Sequence, residues 1–282
     1  MMIRPMTSRD LPAVFQLKDA EGWNQTATDL QFILAKNPKH CLVATSGDRI
    51  IGSITTMVYQ DTLAWIGMML VDGDFRGQGI ATQLLNTSIA NLEHCPSIKL
   101  DATPLGKDLY MKLGFIPEYE LCRMTIDQIP ALQGKSPSIE KPKLINTETL
   151  RSVINNDELN FGANRGALLT HLFRHGKEHA FVLGVDNTIQ GYLFSRPGTR
   201  YQQLGPLMAE SDTAAKVLLT SAFSTMTSQA IVVDVLADKT ELITWLKSLG
   251  FVVQRKLLRM YLHENCPGQV HKQYLIAGPE LG

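Results

Sequence analysis

Two similar blocks, one in each half of the chain, constrain its fold more than any other feature. Residues 112–124 read KLGFIPEYELCRM and residues 248–260 read SLGFVVQRKLLRM, so Gly-Phe and Arg-Met keep the same spacing in both. Each block follows an apolar stretch with an aspartate near its end, Asp101 in the first half and Asp234 in the second. This shared order of strand, helix, Gly-Phe, strand and Arg-Met indicates a duplication, so we expect two similar domains.

The length of the chain agrees with two domains, since 282 residues exceed a typical single domain. Residues 129–143, IPALQGKSPSIEKPK, are rich in proline and lack hydrophobic periodicity, which is typical of a linker. We therefore predict a first domain over residues 1–128, a linker over 129–143 and a second domain over 144–282.

Strand and helix patterns alternate in both halves, which predicts an α/β (α+β) protein with a mixed central sheet flanked by helices in each domain. TLAWIGMMLV, residues 62–71, is a continuous apolar run of the kind found in a central strand. The next periodic stretch, IATQLLNTSIANLEH, predicts a helix whose apolar face consists of Ile80, Leu84, Leu85, Ile89 and Leu92.

The composition argues against several classes of partner. Lys plus Arg and Asp plus Glu number 27 each, so no overall positive field favours nucleic acid or an anionic membrane. No apolar run approaches the ~20 residues of a membrane span, and the first residues, MMIRPMTSRD, do not resemble a signal peptide. The four cysteines are widely spaced and form no CxxC pair. We interpret His171, His175 and His179 as solvated polar side chains and not as metal ligands. We expect a cytoplasmic protein without a metal site.

A glycine-rich loop separates the apolar run from the periodic helix: residues 71–85 read VDGDFRGQGIATQLL. Glycines before a helix let the backbone approach an anion, and the free N–H groups of the first helical turn can bind phosphate. Arg76 could add charge-assisted hydrogen bonds. The loop matches neither GxxxxGK[ST] nor GxGxxG, which disfavours a nucleoside-triphosphate or dinucleotide site. A purely structural turn is the alternative.

Arg76, Gly79 and Ala81 fit the pattern [QR]-x-x-G-x-[GA], and residues 62–124 resemble the two central motifs of the GNAT superfamily of N-acetyltransferases. The remainder resembles the degenerate second domain of a tandem subgroup. The resemblance implies acetyl-CoA as cosubstrate, bound between two parallel strands that splay apart in the first domain. The residues it implies for acetyl-CoA binding, largely through their backbone, are Met69, Leu70, Val71, Arg76, Gly77, Gln78, Gly79, Ile80, Ala81 and Thr82.

The resemblance also implies two catalytic features. A bulge near residues 67–69 would turn one backbone amide toward the thioester carbonyl and stabilise the developing oxyanion. Tyr110 occupies the place where many members carry a tyrosine near the CoA sulfur, so it is the candidate general acid. The alternative for Tyr110 is a half-buried aromatic that packs its ring on an amphipathic helix.

The general base is less defined, because many relatives carry a glutamate on the strand before the phosphate loop and residues 63–71 contain none. Asp101, Glu21 and Asp29 are candidates, but strand-end and helix-start acids usually cap turns or serve the helix dipole. We therefore expect proton removal through water. Trp23 and Trp65 are candidates for a wall of the acceptor site, with core packing as the alternative. Glu21 and Asp101 are further candidates for binding the acceptor.

The second half lacks the features that carry chemistry in the first. Leu246 stands at the position of Tyr110, and LGPLMAESDTAA, residues 204–215, lacks the phosphate-loop pattern. We expect this half to keep the fold without binding the cosubstrate. Its candidate roles are to form a wall of the acceptor pocket, to pair with the first domain or to mediate homodimerisation.

The favoured function is direct transfer of an acetyl group from acetyl-CoA to a primary amine of a small molecule or peptide. A CoA-binding regulatory or scaffolding module whose chemistry has decayed is the alternative. Aminoacyl transfer onto cell-wall precursors, known from tandem relatives of this fold, is disfavoured by the intact CoA-type loop. The residues do not identify the acceptor or the length of the acyl chain.

Overall fold

The computed structural model describes residues 1–130, 141–184, 188–226 and 229–282. Most of the predicted linker, residues 131–140, lies outside the described residues. The α-helices are α1 (Leu11–Ala20), α2 (Ala27–Lys36), α3 (Ile80–Ala90), α4 (Lys107–Lys112), α5 (Thr147–Phe161), α6 (Gly166–Gly176), α7 (Asp212–Ser224) and α8 (Thr240–Ser248). The strands are β1 (Met2–Pro5), β2 (Leu42–Ser46), β3 (Arg49–Tyr59), β4 (Leu63–Val71), β5 (Ser97–Ala102), β6 (Ile116–Ile126), β7 (Lys143–Leu144), β8 (Phe181–Leu183), β9 (Gly191–Arg196), β10 (Gln202–Ala209), β11 (Ile231–Leu236), β12 (Val252–His263) and β13 (Gln273–Leu275).

The chain forms two compact units, and each unit combines segments that are separated in the sequence. Unit 1 consists of Met1–Glu118, Leu258–Asn265 and Pro279–Gly282, and unit 2 consists of Tyr119–Leu257 and Cys266–Gly278. This division differs from the predicted limits at residues 128 and 144. The reason is that β6 and β12, the two strands that follow the repeated Gly-Phe, each contribute residues to both units.

Unit 1 is built on a mixed sheet with the strand order β1-β2-β3-β4-β5-β12. The pairs are antiparallel except β4–β5, which is parallel. The helix α3 covers this sheet with the face that the sequence predicts, since Ile80, Leu84 and Leu85 are buried in the core and Ile89 packs against it. Leu92, predicted on the same helical face, is also buried in this core but lies beyond the end of α3 at Ala90. The hydrophobic periodicity was therefore sufficient to orient α3.

Unit 2 repeats this plan with the order β6-β11-β13-β10-β9-β8-β7. Its parallel pair joins Gln202–Leu204 of β10 to Ile231–Val233 of β11, and α7 buries an apolar face in the core of this unit. Mixed sheets with flanking helices in both units confirm the predicted fold class.

The repeated Asp and Arg residues form buried ion pairs in an exchanged pattern. In unit 1, Arg259 of β12 donates two hydrogen bonds to Asp101 on β5, at 2.8 and 2.9 Å. In unit 2, Arg123 of β6 donates two hydrogen bonds of 2.7 Å to Asp234 on β11. The aspartate of one sequence repeat thus binds the arginine of the other repeat. This exchange agrees with the division of β6 and β12 between the two units.

A few observations bear on the partners considered from the sequence. No helix formed by the described residues is both long and apolar enough to cross a membrane. Within the same described ranges, no group of three or more His, Cys, Asp or Glu side chains could hold a metal ion. The helix α6 ends at Gly176, and His179 lies beyond it with Nδ1 at 2.8 Å from the Thr225 hydroxyl.

Candidate active site in unit 1

The two parallel strands of unit 1 separate part of the way along their length. Backbone pairing between β4 and β5 runs from Leu63 opposite Ser97 to Ile66 opposite Leu100. Beyond that point β4 continues to Val71 and β5 to Ala102, as strands that no longer pair with each other. The opening begins at Gly67, so the structure contains the splayed pair that the resemblance implied.

A β-bulge on β4 lies at the start of this opening. Thr55 of β3 pairs with Gly67, and Ser53 pairs with Leu70, so Met68 and Met69 together face the single residue between Ser53 and Thr55. Met68 has a φ of +48°, which reorients the local peptide groups. The bulge occupies the expected position, and its role toward a carbonyl oxygen stays a prediction.

The glycine loop leads from β4 into α3 with a backbone that favours glycine. Gly77 and Gly79 have φ values of +76° and +78°, and Gly79 is the residue directly before α3. No side chain in the described part of the chain caps α3, so the N–H groups of its first turn are available to a ligand. Loop residues 76–79 and helix residues 80–82, predicted to bind acetyl-CoA, thus form one continuous backbone segment.

Arg76 is held against its own loop and against α1. Its Nε donates a hydrogen bond of 3.2 Å to the Val71 carbonyl, and its guanidinium forms an ion pair with Glu21. Glu21, predicted as an acceptor-site residue, therefore binds the arginine of the glycine loop. Both side chains remain partly exposed, at 47% for Arg76 and 34% for Glu21.

Tyr110 lies on α4 and is 9% exposed. Its ring meets Phe115 edge-on with centroids 5.9 Å apart, and it approaches Gly106 so closely that a Cβ there would lie 2.8 Å from Tyr110 Cε2. Burial raises the pKa of the phenol to about 12. Tyr110 therefore packs as an aromatic and also keeps its proton at neutral pH, which a general acid requires.

The other carboxylates considered from the sequence have structural partners. Asp101 is fully buried in its ion pair with Arg259. Asp29 accepts hydrogen bonds of 2.7 and 2.8 Å from the backbone and hydroxyl of Thr26, which completes the capping box of α2. The contacts of Asp29 are structural ones at a helix start, as the alternative from the sequence had it, whereas the Asp101–Arg259 pair between two strands was not among the alternatives.

The two tryptophans differ in their surroundings. Trp65 on β4 is 1% exposed, and the Arg259 guanidinium lies 4.4 Å from the centre of its ring. Its indole Nε1 donates a hydrogen bond of 3.0 Å to the carbonyl of Pro279. Trp65 is therefore a core residue, whereas Trp23 is half-buried in the connection between α1 and α2. Residues 279–282 cover Trp65, and the sequence patterns assigned no role to them.

The corresponding region of unit 2 is occupied by the chain itself. Beyond their parallel segment, β10 and β11 both pair with β13: Leu275 lies opposite Leu207 on one side and Val235 on the other. The hydroxyl of Ser211 accepts a hydrogen bond of 3.2 Å from the Ala214 N–H and caps α7. Leu246, at the position of Tyr110, is fully buried. Within the described residues of unit 2, the pair β10–β11 is thus not open, α7 is capped and Leu246 supplies no hydroxyl.

Comparison with known families matches both halves of the chain. Two family models, each described as an acetyltransferase (GNAT) domain, match residues 14–124 and residues 153–275. The chain belongs to the GNAT acetyltransferases, and it contains two GNAT domains in tandem. It is an acyltransferase of this type.

The chain is similar over almost its whole length to a holothin acyltransferase of Pseudoalteromonas sp. (strain SANK 73390), with 28% identity over 99% of this chain and 94% of the relative. An uncharacterized N-acetyltransferase of Bacillus subtilis (strain 168), YitH, is 25% identical over 84% of this chain and 82% of its own length. A crystal structure of an acetyltransferase candidate from Pyrococcus horikoshii has the same fold, with a TM-score of 0.82 and 23% identity over 100% of this chain and 95% of that chain.

Proposed function

We propose that this chain transfers an acetyl group from acetyl-CoA directly to a primary amine, through the site in unit 1. The observation that carries the proposal is the combination, in one unit, of an open β4–β5 pair and an uncapped helix preceded by Gly79. In the part of unit 2 that the structure describes, β13 pairs with both corresponding strands, β10 and β11, and occupies the equivalent space between them. One cosubstrate molecule per chain follows from this difference.

The backbone supplies most of the binding groups in this proposal. The N–H groups from Gly77 to Thr82 hold the diphosphate, because positive φ at Gly77 and Gly79 and the start of α3 present amides to an anion. The pantetheine arm extends along the free edge of β4 from Met69 to Val71. An amide at the bulge donates to the thioester oxygen as charge develops there.

Tyr110 acts as the general acid. When the amine nitrogen attacks the carbonyl carbon, the C–S bond breaks and the leaving thiolate takes the hydroxyl proton of Tyr110. The high pKa of this phenol, about 12, keeps it protonated at neutral pH, and its position in a buried core fixes the ring. No cysteine intermediate is needed, and burial raises the pKa of the Cys41 thiol to about 11, which disfavours a nucleophilic thiolate there.

The acceptor is a small molecule or a peptide that presents a primary amine. The relative from Pseudoalteromonas is named for acylation of holothin, which makes holothin a suitable first acceptor to test. A panel with holothin, benzylamine and a dipeptide samples different shapes around the reacting group.

The direct test is release of free CoA thiol from acetyl-CoA in the presence of each amine. We expect saturable thiol release with at least one amine and formation of the corresponding amide. Tight binding of acetyl-CoA in calorimetry without turnover of any amine would instead support the decayed CoA-binding module.

Substitution of Gly79 by valine tests the diphosphate-binding loop. A β-branched residue at a φ of +78° is strained, so the loop must relax and its amides lose their common orientation. We expect Gly79→Val to weaken acetyl-CoA binding at least tenfold in calorimetry. Gly47→Val is the matched control, because Gly47 also has a positive φ, of +58°, and open space around its Cβ position. Equal losses of affinity in the two variants would contradict the role of the loop.

A further inference from the structure

Residues 279–282 lie on one face of β4, at the beginning of the open strand pair. A Cβ built on Gly67 would come within 2.6 Å of both Cα and Cβ of Glu280, so only glycine lets the two backbones approach this closely. Gly67 directly precedes the bulge residues Met68 and Met69. The backbone and Cβ of Glu280 therefore lie beside Gly67, next to the bulge at which the thioester is proposed to bind.

The residues on both sides of Glu280 are anchored to strands of unit 1. Trp65 Nε1 donates a hydrogen bond of 3.0 Å to the carbonyl of Pro279, and the Tyr59 hydroxyl donates one of 2.7 Å to the carbonyl of Leu281. Gly282 packs against the ring of Trp65, since a Cβ there would lie 2.8 Å from a ring carbon. These contacts hold the backbone of Glu280 in one position, as a functional carboxylate requires.

The polar groups around Glu280 are buried and incompletely satisfied. Gln25 Nε2 donates a hydrogen bond of 2.7 Å to Glu280 Oε2, and this bond assigns the orientation of the Gln25 amide. Gln25 Oε1 has no hydrogen-bond partner among the described residues, and neither has the hydroxyl of Thr55. Thr55 pairs with Gly67 across the strands, so its side chain lies on the face that Glu280 covers.

Burial of these polar groups is unfavourable unless a ligand binds them. Glu280, Gln25 and Thr55 are only 2%, 3% and 2% exposed. A buried carboxylate loses its hydration, and each unsatisfied buried acceptor or hydroxyl destabilises the folded protein. A ligand that brings N–H donors to this point would satisfy the groups that the protein leaves unsatisfied.

We propose that Glu280 is the general base for the acceptor amine. In this proposal Gln25 Oε1 and the Thr55 hydroxyl orient the amine. The proposal rests on the acetyl transfer proposed above and replaces the expectation of proton removal through water alone. The carboxylates named from the sequence bind other groups: Asp101 binds Arg259, and Glu21 binds Arg76. Glu280 packs against Gly67 of β4, the strand proposed to line the reacting groups.

The proton balance of the step is complete with these residues. The amine nitrogen forms the N–C bond, one amine proton passes to the Glu280 carboxylate, and the C–S bond breaks. The sulfur receives the proton of the Tyr110 hydroxyl. Transfer of a proton from Glu280 through water to the Tyr110 phenolate then restores both residues, and the products are the amide and free CoA.

Glu280→Gln preserves the shape and removes the basic oxygen. We expect it to lower kcat/KM for holothin or benzylamine by about 10²–10⁴-fold, the usual contribution of a general base, with acetyl-CoA affinity within twofold of the unsubstituted protein. In Glu280→Ala, added formate should restore part of the activity, because a small carboxylate can occupy the space left by the side chain. Thr55→Val should raise KM for the amine about fivefold with little change in kcat.

Glu264→Gln is the control, since Glu264 is an exposed carboxylate of the same unit. Activity of Glu280→Gln within threefold of the unsubstituted protein would overturn the role of Glu280 and leave the proposed function standing. A Glu280→Ala variant that loses activity, keeps its melting temperature and gains nothing from formate would also overturn it. Absence of thiol release by the unsubstituted protein with every amine would overturn the proposed function, and this role with it.

Discussion

Replacement of Tyr110 by phenylalanine is expected to lower kcat by about 10²–10³-fold while acetyl-CoA binding is retained. The substitution removes the hydroxyl and keeps the ring that packs against Phe115 and Gly106, so the core of unit 1 should remain intact. Without the proton of Tyr110 the thiolate must leave as an anion, and a well-placed general acid contributes this much to a rate. Single-turnover thiol release and calorimetry with acetyl-CoA measure the two quantities separately.

The pH dependence sharpens this prediction. Burial raises the pKa of Tyr110 to about 12, and the neutral phenol is the active form, so loss of its proton reduces activity only as the pH rises toward 12. We expect no decline of kcat from this residue between pH 7 and about pH 10. Tyr261→Phe, at a half-buried tyrosine of the same unit, is the control. A Tyr110→Phe variant with an unchanged kcat would remove this residue from the mechanism.

The second large effect concerns stability. Replacement of Arg259 by methionine is expected to lower the free energy of unfolding by about 3–5 kcal/mol, because it leaves the buried Asp101 carboxylate without its charge partner. The variant also loses the guanidinium stacked on Trp65. Urea unfolding followed by tryptophan fluorescence measures the change.

Two further variants separate the buried pair from general effects of losing a charge. Lys256→Met removes a cation from the same strand, but its ion pair with Glu120 is exposed to solvent, so we expect no measurable change in the free energy of unfolding. The double variant Asp101→Leu with Arg259→Met should be less destabilised than Arg259→Met alone, since no buried charge is then unpaired. A loss below about 1 kcal/mol for Arg259→Met would contradict the structural importance of the exchanged pair.

Local physical rules were sufficient to predict much of unit 1. The apolar run before the loop became β4, and the periodic face of α3 is buried as expected because hydrophobic spacing determines which side of a helix packs. Gly114 has a φ of +91° just beyond the end of α4, a conformation that favours glycine after a helix. The glycine loop and the splayed strands followed from residue patterns and from the resemblance to GNAT enzymes.

The exchange of the repeated strands could not be predicted in this way. Asp101 and Asp234 each have two chemically equivalent partners, Arg123 and Arg259, and the spacing of the repeats is the same for either choice. Which arginine binds which aspartate depends on long-range packing that local patterns do not contain. The position of Glu280 depends on the same long-range packing, because it lies far from β4 in the chain and contacts it only in the folded protein.

A crystal structure of the chain with bound acetyl-CoA tests the central claim most directly. We predict one acetyl-CoA molecule per chain, with its diphosphate on the backbone amides of residues 77–82 and its thioester at the bulge of β4. Density for the diphosphate elsewhere on unit 1, or for a cosubstrate between β10 and β11 in place of β13, would contradict it.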